Sequence, residues 1–127
     1  MNLYDHAHNL ARALKESEEY QGLLKARKQL ESDTKNKEML LEFRRCQWEM
    51  EKSRALQQEV DEITSRRMEQ LGELMGGNRT IQEYLMAEYR FGQVMMDIQK
   101  ILSEALSDWF QAAAEFVGDE EDEEDDQ

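Results

Sequence analysis

The chain has 127 residues, 39% hydrophobic and 35% charged, with a net charge of −13. That length sets the scale of one domain, and so acidic a balance does not favour nonspecific binding to nucleic acid. With no proline, six glycines and an abundance of Glu, Gln, Leu, Met, Ala, Lys and Arg, the composition predicts an all-α protein without strands.

Leu3, Tyr4, Ala7, Leu10, Ala11 and Leu14 line a first short helix. Ser17, followed by Glu18, Glu19 and Tyr20, has the pattern of an N-cap with an acidic first turn. It opens a second short helix lined by Tyr20, Leu23, Leu24, Arg27 and Leu30. A third helix starts near Asp33 and carries the stripe Met39, Phe43, Cys46 and Met50. The pattern slips between Met50 and Leu56, which predicts a kink or short break around residues 54–58. Val60, Ile63, Arg67, Leu71 and Leu74 then form another seam, as far as the paired Gly76 and Gly77.

Asn78 or Thr80 caps the last helix, predicted over residues 80–117. Along it Ile81, Tyr84, Glu88, Phe91, Met95, Ile98, Leu102, Ala105, Trp109, Ala112 and Phe116 recur at alternating spacings of three and four. That is an a/d seam on a rod about 57 Å long, and such a rod requires partner helices along its length. A turn centred between Gly77 and Asn78 makes the helices before and after it antiparallel neighbours. In that register Leu74 faces Ile81, Leu71 faces Tyr84, Val60 faces Met95 and Arg67 faces Glu88. The expected architecture is a long antiparallel helical hairpin with shorter N-terminal helices, bundle-forming, over residues 1–118. Residues 119–126, DEEDEEDD, hold eight of the acidic charges, so residues 119–127 are expected to be a disordered acidic tail.

Glu88, Tyr89 and Arg90 offer an acid, a phenol and a guanidinium in succession. Adjacent helical residues point about 100° apart, so the three do not converge, and Glu88 is expected to form a registry ion pair with Arg67. His6 and His8, the only histidines, lack the i, i+4 spacing of a zinc pair. Cys46 is the only cysteine and has no base partner in sequence. The basic spots, KARK at 25–28 and the pairs Arg44-Arg45 and Arg66-Arg67, lie among abundant glutamates and read as salt-bridged helix faces. Met86 and Met96 fall off the seam and are placed to face the N-terminal helices or another subunit. No catalytic, cofactor-binding or metal-ligating residue is assigned. The interface candidates are Phe43, Arg67, Tyr84, Glu88, Phe91, Met95, Ile98, Leu102, Trp109 and Phe116.

Three stretches carry a family resemblance: NLYDHAHNLARALKESEEY from Asn2, KEMLLEFRRCQ at 37–47, and IQEYLMAEYRFGQVMMDIQKIL at 81–102. They resemble the YlbF/YmcA family, and within it the YheA-type branch. The resemblance implies an all-helical protein that assembles as a dimer or larger oligomer, without known catalytic activity. It also implies a regulatory role, since relatives act in competence, sporulation and biofilm formation through a complex that influences messenger-RNA processing. Some relatives hold iron–sulfur clusters on several cysteines; with Cys46 alone that cofactor does not carry over.

Charged residues Asp5, Arg12, Lys15 and Glu16 occupy the place of a signal-peptide core, and no apolar run approaches the roughly 20 residues that span a bilayer. The expectation is a cytoplasmic, non-enzymatic homo-oligomer that regulates by binding protein partners. The alternatives are a small chaperone-like holdase with Met-rich apolar faces and a metal-dependent hydrolase built from helix carboxylates. The second lacks the paired Glu-x-x-His motifs it would need.

Overall fold

The computed structural model describes residues 1–125, with side chains described through residue 117. Six helices and no strand make up the described residues, so the protein is all-α. They are α1 (Leu3–Glu16), α2 (Glu18–Glu31), α3 (Thr34–Ala55), α4 (Glu62–Gly76), α5 (Arg79–Ala105) and α6 (Ser107–Asp125). The chain divides into two units, Met1–Phe91 and Gly92–Gln127.

In the first unit nearly every helix start has a side-chain cap. Asn2 and Asp5 form a reciprocal capping box on α1, the Asp5 N–H donating to Asn2 Oδ1 over 2.9 Å. Ser17 closes α1 through its own N–H and opens α2 by accepting from Tyr20 N. Asp33 caps α3 and Asp61 caps α4, each accepting from the N–H two residues on. The predicted starts at Ser17 and near Asp33 are therefore seen, Ser17 as the N-cap its sequence indicates and Asp33 as a cap as well.

The predicted break near 54–58 is a full chain reversal. Helix α3 stops at Ala55, and residues 56–61 turn the chain back into α4, with Gln57 in the left-handed region at φ 55°. The long antiparallel hairpin is therefore α3 with α4, not α4 with α5. Its register is marked by Arg67 against Glu42 and by Gly72, where the Phe43 ring edge lies 3.8 Å from where a Cβ would sit. The α4 stripe also shifts from the expected one. Thr64, Met68, Leu71 and Met75 are the covered positions, whereas Ile63 is exposed and Leu74 is 57% exposed.

Gly77 ends α4 at φ −90°, so this turn makes no use of glycine's left-handed freedom. Asn78, one of the two expected caps, opens α5 by accepting from Ile81 N at 3.1 Å, and its Nδ2 donates to Asn36 Oδ1 at 2.7 Å. That second bond ties the start of α5 to the start of α3. Asn78→Ala removes both and should lower unfolding free energy by about 2 kcal/mol, read from urea denaturation.

The core is small. Leu30, Leu40, Met75 and Ile81, one residue from each of α2 to α5, form its buried cluster, with Met39, Phe43, Tyr84 and Leu85 packed against it. Tyr20 on α2 meets Phe91 on α5 with ring centroids 5.2 Å apart. Cys46 is buried on α3 as a free thiol.

The predicted single rod is interrupted at Leu106, between α5 and α6. Hydrogen bonding continues through that residue: Leu106 N donates to Leu102 O, and Trp109 N donates to Leu106 O. The three-and-four spacing of the apolar residues continues on both sides of it. Helix α6 continues to Asp125, taking in most of the acidic run for which the sequence predicts disorder; the side chains from residue 118 onward lie outside the described residues.

Candidate docking surface

The residues with the most chemistry on them are bound to one another. Glu88 does not reach Arg67. Its Oε1 accepts from Arg44 on α3 and its Oε2 accepts from the Tyr84 hydroxyl at 2.9 Å. Arg44 also lies over the Tyr84 ring, 6.0 Å from the centroid. Arg67 instead forks onto Glu42, Nε to Oε1 at 2.6 Å and Nη2 to Oε2 at 3.0 Å. The expected registry pair is thus replaced by two pairs that each join α3 to a neighbour. The cause is the hairpin: with α3 beside α4, Glu42 is the carboxylate that Arg67 meets. Tyr89 and Arg90 remain exposed on the flank.

The protonation shifts follow these contacts. The Arg67 hydrogen bond holds the Glu42 carboxyl below its ordinary range. Burial, then the Glu88 hydrogen bond, raises the Tyr84 phenol. For Glu42 the sign is that of a depressed acid: its contribution is present above the ordinary carboxylate pKa, about 4.3, and disappears as pH falls through the lowered folded value. The stability difference between wild type and Glu42→Gln should accordingly shrink on acidification, with urea midpoints as the readout. Both side chains remain partly exposed to solvent, so the effect is small.

His6 and His8 are exposed on α1. Among the described residues no group of His, Cys, Asp or Glu is close enough to hold a metal ion, and no helix is long and apolar enough to cross a membrane. Met86 borders a shallow groove between α2 and α5, beside Gly22, Ala26 and Ala87, and Met96 is exposed.

The long seam shows a gradient. Ile81 is fully buried at 0% exposure, and Tyr84, Glu88, Phe91, Met95 and Ile98 are partly covered. From there cover is lost while the spacing persists: Leu102 is 51% exposed, Trp109 65% and Phe116 71%. Ile101, Leu106, Phe110 and Val117 are also exposed beside them. A second bare stripe runs along α1, which buries no residue and leaves Leu3, Tyr4 and Leu10 in solvent. From sequence α1 has a stripe but no cover, and three residues of the first unit go unread: Arg44 as the partner of Glu88, and Leu40 and Met75 as core. Leu40 follows Met39 directly and shares its side of α3, so the stripe was wider than the strict repeat indicates.

The sequence model of the family described as "Control of competence regulator ComK, YlbF/YmcA" matches residues 3–107. The chain belongs to the YlbF/YmcA family. This YlbF/YmcA chain is similar to a UPF0342 protein of Caldicellulosiruptor saccharolyticus, at 38% identity over 83% of the chain and 88% of the relative. UPF0342 proteins of Symbiobacterium thermophilum and Halothermothrix orenii are 36% and 39% identical, over 82% and 80% of the chain and 93% and 86% of their own lengths. A family defined by control of a regulator supports a regulatory role. The YlbF/YmcA match takes in α1 through α5 and ends as α6 begins.

Proposed function

We propose that this protein is a non-enzymatic cytoplasmic regulator that self-associates through its bare helix faces and docks a protein partner. The observation carrying this reading is the seam that keeps its a/d spacing beyond Ile98 while losing its cover. An apolar stripe at that spacing is what a helix needs from a partner helix, and a contiguous exposed apolar patch marks an interaction site. Family membership supports a regulatory output, with competence control as the first candidate. Sporulation, biofilm formation and RNA processing are the wider extension. Glu88, Arg44 and Tyr84 favour a structural role, since each is already engaged by the others.

The test is affinity capture from the native cell with tagged wild type and tagged Leu102→Asp/Trp109→Asp, with and without nuclease. Recovery of one defined protein by wild type, resistant to nuclease and lost from the variant, is expected. Recovery that depends on RNA would overturn protein docking, and unchanged competence in cells lacking the chain would overturn the competence role. Exposed Met86 and Met96 favour a second reading, a holdase. Suppression of an unrelated client's aggregation at stoichiometric levels would establish it.

A further inference from the structure

Both bare faces carry unspent charge. All five ion pairs among the described residues involve residues between Arg27 and Glu88. On α1, His8, Arg12 and Lys15 stand at i, i+4 and i+7 and make one flank of the apolar stripe basic. With Ala11 they border a shallow groove on that side. Along the seam, Asp97, Glu104, Asp108 and Glu115 recur at steps of seven, four and seven, so one flank of the seam is acidic.

The two faces also match in length. Helix α1 has 14 residues, about 21 Å at the usual rise, and the stretch from Leu102 to Phe116 spans about the same distance. Rotating around each helix in the same sense, the bases follow the α1 stripe and the acids precede the seam. Flanks of opposite hand meet when two helices lie parallel, which is how e and g charges pair. Two seams placed together would instead align two acidic segments, each ending in DEEDEEDD, and like charges oppose such a contact.

We propose that α1 of one copy lies parallel against the Leu102–Phe116 stretch of a second copy, apolar stripe on apolar seam and basic flank to acidic flank. The proposal rests on the self-association reading and names its surface. Setting Leu3 beside Leu102 places Leu10 beside Trp109. When two copies are related by a two-fold axis the contact occurs twice, and a specific interface of about 1,200 Å² then asks each to bury about half of that.

Leu10→Cys chains and Trp109→Cys chains, unfolded and refolded together to exchange subunits, should form a mixed disulfide dimer on mild oxidation. Wild type, with Cys46 buried, is the control. In sedimentation, Arg12→Glu/Lys15→Glu should weaken association by roughly tenfold, and mixing with Asp108→Lys/Glu115→Lys chains should restore it. Association that persists with no mixed disulfide, or with Trp109→Cys linking only to itself, would overturn this interface and leave self-association standing. A wild-type chain that sediments as a monomer at every concentration would overturn both.

Discussion

Replacing Ile81 by alanine should lower the free energy of unfolding by about 2–5 kcal/mol, whereas Leu74→Ala should change it by less than about 1 kcal/mol. Both residues are aliphatic, and both are read from sequence as seam positions facing each other across the Gly77 turn. In the fold their positions are opposite. Ile81 has no exposed surface and closes a cluster with Leu30, Leu40 and Met75, so truncation leaves a cavity bounded by four helices. Leu74 lies mostly in water on α4, so truncation removes little buried surface. Against a whole-domain stability of about 5–15 kcal/mol, the first change is severe. Urea denaturation at equilibrium compares the two, and equal losses would contradict the α3–α4 pairing.

That contrast shows where the sequence was legible. Helix starts at Ser17, Asp33 and Asn78 were readable because a short polar side chain satisfying free N–H groups is local chemistry. The α3 stripe was readable because Phe43, Cys46 and Met50 repeat without competition. The reversal after α3 was not. Residues 56–61 contain neither glycine nor proline, and the left-handed position is taken by Gln57, which gives no signal of its own. With Gly76 and Gly77 as the visible break, the sequence points to a hairpin there and so to the wrong face of α4. Ile63 and Leu74 fit a regular repeat with Leu71, but that repeat placed Arg67 in the seam. The folded helix avoids this by covering Thr64, Met68, Leu71 and Met75 instead.

The ion pairs were still harder to read. Charged residues make up 35% of the chain, so matching plus to minus succeeds in many registers and selects none. Arg67 faces Glu88 in a hairpin turning at the paired glycines and takes Glu42 in the folded one. Tyr84, Glu88 and Phe91 read from sequence as seam positions facing α4, and in the fold they are partly covered by other helices. Their contacts, Arg44 and Tyr20, come from α3 and α2, at separations that periodicity within a single helix cannot reveal.

The C-terminal half of the seam supplies the other large effect. Leu102→Asp/Trp109→Asp should abolish self-association while leaving helicity and the dilute-limit stability of the chain unchanged. Trp109 and Leu102 are mostly exposed in the single chain, so in the monomer an aspartate at either place stays hydrated. In a seam covered by a second copy each change removes an apolar side chain whose burial contributes about 1.5–3 kcal/mol, and it obliges a carboxylate to lose water without a partner. Together these weaken the dimer by more than about 100-fold, and each change adds negative charge to a segment already rich in it. The unfolding temperature of wild type should rise with protein concentration and that of the variant should not. Sedimentation and circular dichroism separate this outcome from simple misfolding. A variant that loses helicity and stability even at high dilution would mean that these side chains belong to the chain's own core.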